Sequence, residues 1–157
     1  MAYKWLISLV WVALASAPAA AQTVTAKDPK ALAAFLKQKG YRAEVKEKPT
    51  GAHIESSDSG IAFSIFFMNC AAAGSDCKTI QFFNGYTDID GVPLTRINEW
   101  NKKHRFARAY IDDGQDPVLE MDVDLDNGGM AAVNFVEQLK IWTTLMGEYR
   151  RFLLEKR

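Results

Sequence analysis

Two alternating apolar segments, Gly60 to Cys70 and Cys77 to Tyr86, are joined through the only two cysteines of the chain. In the first, Ile61, Phe63, Ile65 and Phe67 share one face at the two-residue period of a strand, with Ala62, Phe66 and Met68 on the other. Apolar residues on both faces predict a central strand that is partly covered on both sides. With Cys70 opposite Cys77 in an antiparallel hairpin, the numbers of paired residues sum to 147. Phe67 then faces Ile80 and Ile65 faces Phe82 on one side; Phe66 meets Gln81 and Ser64 meets Phe83 on the other. Any fold of this chain has to accommodate that hairpin.

The compartment follows from the other end of the chain. Lys4 precedes an apolar run from Trp5 to Ala15, broken only by Ser8. Pro18 then leads into Ala19-Ala20-Ala21, small residues placed as a cleavage site requires. An eleven-residue run makes a helix of about 17 Å, well short of a hydrocarbon core of roughly 30 Å. Residues 1–21 therefore read as a cleaved secretory signal peptide, with cleavage after Ala21, and 22–157 as one exported periplasmic or secreted domain with no membrane attachment. In an oxidising compartment Cys70 and Cys77 read as a structural disulfide. A redox pair would want the shorter C-x-x-C spacing.

Asp28 is a good N-cap and Pro29 a good first helical residue, so a helix is expected to start there and to stop at Gly40. Arg42–Lys46 and Ala52–Glu55 alternate, separated by a Pro49-Thr50-Gly51 turn; Asp58-Ser59-Gly60 is another turn. Pro93–His104 reads as a helix and Arg105–Asp112 as a strand. Val118–Asp126 alternates cleanly, with Leu119, Met121, Val123 and Leu125 inward and Glu120, Asp122, Asp124 and Asp126 outward. Pairing these two strands at a sum of 230 sets Ala109 against Met121, Ile111 against Leu119 and Arg108 against Asp122 as a surface ion pair. A long helix follows Gly128-Gly129, its stripe running from Ala132 through Phe135, Leu139, Trp142, Met146 and Tyr149 to Leu153. The order α-β-β-β-β-α-β-β-α is an α+β fold: an antiparallel sheet of five to six strands flanked by helices.

Chemistry is sparse. Nineteen basic residues balance nineteen acidic ones, so no overall field recruits nucleic acid. The short basic cluster Lys102, Lys103, His104, Arg105 and Arg108 reads as ordinary cations at a helix C-terminus. Asp122–Gly128 imitates a calcium loop, but Asn127 stands where the glycine belongs and Val133 where the bidentate glutamate belongs. No nucleophile elbow, zincin or phosphate-loop signature is present, and neither His53 nor His104 has a nearby Ser or Cys arranged as a nucleophile. No catalytic residue, metal ligand or cofactor is expected. Asn98, Trp100 and Asn101 are the candidate binding residues, because two asparagines one turn apart inside a helix need hydrogen-bond partners. Those partners are either neighbouring backbone or a ligand beside Trp100. Val133 and Ile141 lie off the main stripe of the last helix and are the candidate interface residues.

Several of these segments together resemble the YbjN family of bacterial proteins. They are Gly40-Tyr41, Phe66-Phe67-Met68-Asn69-Cys70 with Cys77, Ile97-Asn98-Glu99-Trp100-Asn101, Arg105 through Asp112, Gly128-Gly129, and Phe135 with Trp142. The resemblance spans roughly 40–152. It implies a role in sensory transduction regulation, no catalytic residues, and a fold similar to type III secretion chaperones, often dimeric. The leader and the cysteine pair mark an exported variant. The expectation is a non-enzymatic exported protein-interaction or regulatory domain, its partner an unidentified protein or a second copy of itself. The alternative is a periplasmic domain that binds a small solute or cation.

Overall fold

A computed structural model describes residues 22–49, 51–71 and 74–155. The predicted leader, 1–21, lies outside the described residues, as does Thr50 of the predicted turn. The elements in chain order are β1 (Thr23–Val24), α1 (Pro29–Gln38), β2 (Arg42–Lys46), β3 (His53–Asp58), β4 (Ile61–Met68), β5 (Thr79–Gly85), α2 (Leu94–Lys103), β6 (Arg108–Ile111), β7 (Pro117–Asp124), β8 (Met130–Ala131) and α3 (Ala132–Leu154). β2-β3-β4-β5-β7-β6 form one antiparallel six-stranded sheet, and β1 pairs with β8 in a separate two-stranded one. The α+β order is as expected, with β1 and β8 added.

Local chemistry sets the boundaries. The Asp28 carboxylate accepts from the Lys30 amide at 2.8 Å to start α1. At its other end the Tyr41 amide donates to Leu36 O and the Gly40 amide to Lys37 O, both at 3.0 Å. Gly40 sits at φ +88°, the left-handed conformation this closure requires. Asp58 pairs directly with Ile61, so Ser59 and Gly60 alone turn the β3–β4 hairpin.

The central hairpin pairs as predicted: Phe67 with Ile80, Ile65 with Phe82, Phe66 with Gln81 and Ser64 with Phe83. Cys70 and Cys77 are disulfide-bonded just beyond it. Cys77 is buried in the core and Cys70 half-buried.

The β6–β7 register differs from the expected one by two residues. Arg108 lies opposite Glu120, Ala109 opposite Leu119 and Ile111 opposite Pro117. Both registers keep the apolar faces together, so alternation cannot choose between them. The loop chooses. The Asp112 amide donates to Asp116 O at 3.0 Å, and Gln115, at φ +67°, closes a three-residue turn whose amide donates to Asp112 O. The predicted strand also shortens: Arg105–Ala107 are not in it.

The core cluster joins the buried faces of α1 and α3 and part of α2 to one side of the sheet. Phe63 and Phe82 pack against the Trp142 indole of α3, with the Phe82 and Trp142 rings stacked at 5.5 Å, and Phe135 packs against Phe82. Phe66, Met68 and Phe83 point to the opposite side and are absent from that cluster. The expected cover on both sides of β4 is thus one-sided: Met68 is exposed, and Phe66 is shielded by the rings of His53 and Phe83 rather than by a helix. Among the described residues no helix is long and apolar enough to cross a membrane.

Candidate functional site

The candidate binding residues of α2 separate once the fold is formed. Trp100 is 1% exposed, packed against His104, Tyr149 and Phe152, which removes its ring from any surface ligand. Asn101 spends its side-chain amide on backbone: Oδ1 accepts from the Ala109 amide and Nδ2 donates to Ala109 O, both at 2.9 Å. Of the two readings of this asparagine pair, Asn101 realises the backbone tie. Asn98 is exposed on the helix surface. The three do not converge on a site.

What these residues build is the segment after them. His104 closes α2, its amide donating to Trp100 O at 3.0 Å while its ring stacks on the Trp100 indole. Ala109, five residues on, is held back against the same helix by Asn101. A chain pinned at both ends to one helix has to reverse within the few residues between, and one of them absorbs the turn. That residue is Phe106, at φ +73° and 60% exposed. A bulky side chain in the left-handed region is a strained outlier, and here the strain holds an aromatic ring out toward solvent.

Opposite it runs α3. Arg96 of α2 fastens this helix by donating to Phe152 O and Glu155 O at its C-terminus, its guanidinium 4.1 Å from the Phe152 ring centroid. Ile141 and Leu145, one turn apart, then face Phe106 across a groove of about 410 Å³, with Thr144 on its wall. Lys103, His104, Arg105 and Lys140 complete the lining. Lys140 is shared with Glu137 at 2.7 Å, and the Arg105 guanidinium lies 5.1 Å from the Phe106 ring centroid. Of the predicted interface residues, Ile141 is half-buried in this groove and Val133 is 70% exposed further up α3. Sequence reading placed Phe106 in a strand and missed it; the basic cluster around it was the available signal.

The bare side of the sheet carries a second depression of about 450 Å³ with a floor of small residues, among them Ser57, Ala62, Ser64 and Gly85. Beside it Glu120, expected outside, is 5% exposed. Its carboxylate accepts from Arg108 Nε at 2.8 Å and from the Tyr110 hydroxyl at 2.6 Å. Burial, with the Glu120 hydrogen bond adding to it, pushes the Tyr110 hydroxyl up to about 12. Four further acidic residues of this region serve local contacts. Asp112 Oδ1 accepts from the Asp116 amide, Asp122 from Gln81 and Asp124 from the Asp126 amide, while Asp126 pairs with Lys78. Among the described residues no three His, Cys, Asp or Glu side chains converge as a ligand set for a metal.

Among the described residues, a helix-backed antiparallel sheet with one bare side and a cation-rimmed groove defines a small α+β domain with surface for contact. The family model of YbjN, described as a putative bacterial sensory transduction regulator, matches residues 28–155. The chain belongs to the YbjN family. No curated protein matches it in sequence.

Proposed function

We propose that this chain is an exported regulatory domain that acts by binding another protein, without catalysis, and that it docks that protein on the groove between Phe106 and α3. One observation carries the reading: a phenylalanine held at φ +73° and 60% exposed beside Ile141. The fold accounts for a turn at this position but not for a phenylalanine there, where glycine or asparagine would adopt the conformation at lower cost and face water; a docking surface accounts for the ring. Membership of a regulator family supports a binding role. The leader-like sequence of residues 1–21 and the Cys70–Cys77 bridge support export.

The test is site-specific photo-crosslinking in the native host. A crosslinker at position 106 or 141 is expected to give one heteromeric adduct, and a crosslinker at Glu44 on the bare side of the sheet is not. Adducts only between copies of this chain, or equal adducts at all three positions, would remove the groove from the mechanism.

A further inference from the structure

We infer that the occupant of the groove is an acidic amphipathic segment of the partner protein, its apolar side chains seated between Phe106 and Ile141 and its carboxylates on the surrounding cations. This rests on the docking reading above and adds the chemistry of the partner.

The argument begins with charge. The whole chain is balanced, nineteen basic against nineteen acidic residues, yet Lys103, Arg105 and Lys140 stand around one apolar groove with no carboxylate among the described residues of its lining. Only Lys140 has an ion pair, with Glu137 of its own helix; among the described residues Lys103 and Arg105 have no acidic neighbour within ion-pair distance. A matching surface brings negative charge to the rim and apolar side chains to the floor.

Geometry narrows the form of the partner. The β6 edge beside the groove is interrupted at Ala109 by the Asn101 amide, so an incoming strand meets a broken ladder in a strand of only four residues. What remains is insertion of side chains into a groove, the mode of an amphipathic helix. A second copy docked through the same groove by two-fold symmetry would set Lys103, Arg105 and Lys140 against themselves, which is repulsive. An anionic membrane would satisfy the cations but not the shape: Leu145, on the groove floor, is only 8% exposed, and Phe106 alone projects.

The experiment is a selection from a random peptide display library on the oxidised protein. Binders are then counter-selected on Ile141→Lys and on Phe106→Asn, the latter a residue that tolerates the left-handed backbone. Enriched peptides are expected to be net acidic, with apolar residues at helical spacing. They should bind roughly tenfold more weakly to Phe106→Asn and weaken further as salt is raised. Basic or uncharged winners, or winners that bind both variants as well as the parent, would overturn the inference. So would binding of the protein to phosphatidylglycerol vesicles when no peptide is enriched. If crosslinks from position 106 still reach a partner while acidic peptides fail, the partner chemistry is wrong and the docking site stands. If the crosslinks fail as well, the site is wrong.

Discussion

The side chain of Asn101 satisfies both backbone polar groups of Ala109, accepting from its amide and donating to its carbonyl, each at 2.9 Å. One amide thus stands in for the missing neighbour strand along part of the β6 edge and holds α2 to the sheet. Exposed strand edges template aggregation, so this pairing protects as well as fastens.

Asn101→Asp keeps the acceptor and loses the donor, setting a carboxylate against the Ala109 carbonyl. A loss of about 1–3 kcal/mol is expected, from a broken hydrogen bond and a carbonyl left without its partner. Urea denaturation should show a lower midpoint at an unchanged slope, and light scattering should show more association on heating. An unchanged midpoint would mean the edge is held by other contacts.

Arg108 projects into solvent, whereas the Glu120 carboxylate it binds is largely covered. The two partners are therefore unequal. Arg108→Leu strands a covered carboxylate and should cost about 2 kcal/mol, while Glu120→Gln, which frees a solvated cation, should cost less. Equal losses in chemical denaturation would contradict this asymmetry.

Tyr110 gives a pH signature. Its hydroxyl is raised to about 12 in the fold, against an ordinary value near 10 in the unfolded chain. The folded protein keeps this proton where the unfolded chain has released it. The stabilisation from Tyr110 is complete below pH ~10 and is lost as pH rises from there through about 12. Tyrosinate absorbance should show a late-titrating phenol that moves earlier in Glu120→Gln; the absence of any such movement would uncouple the two groups.

Phe106→Asn should leave stability within about 0.5 kcal/mol of the parent or raise it, since asparagine adopts a positive φ at lower cost. A loss beyond about 1.5 kcal/mol would assign Phe106 to the fold rather than to recognition.

Gly129→Ala is expected to be the most damaging glycine change. A Cβ there would lie 2.3 Å from Val24 O and under 3 Å from Thr23 and Thr25 methyls, at φ +85°. The β1–β8 pairing cannot survive that contact, and a loss of more than about 2 kcal/mol should appear in thermal and urea unfolding. Gly128→Ala, with open space around its Cβ position, is the matched control.

Legibility in the sequence tracked how much each feature constrains its neighbours. The β4–β5 register was readable because two signals had to agree, the alternation of Phe63, Ile65 and Phe67 against Ile80 and Phe82 and the cysteines beyond. The β6–β7 register was not, because a slip of two residues preserves every inward face, and the deciding residue, Gln115 at φ +67°, has no compositional mark of a turn. Strands of two residues such as β1 and β8 carry no period to detect. Trp100 attracted attention because aromatic residues beside asparagines suit a site, yet its ring is core and the asparagine beside it serves the backbone. Phe106 was hidden for the opposite reason. Its identity argues for a strand, and only the pinning of His104 and Ala109 to the same helix forces it to turn.

The pairing of β1 with β8 also bears on how the molecule takes mechanical load. Thr23 pairs with Ala131, and the Ala132 amide donates to Gln22 O at 2.8 Å, so the start of the described chain is clasped to the root of α3. A pull on the N-terminal end is borne first by this short ladder, whose bonds peel one at a time. The six-stranded sheet is spared until the clasp has opened, which makes those few bonds a fuse between the point of traction and the hydrophobic core.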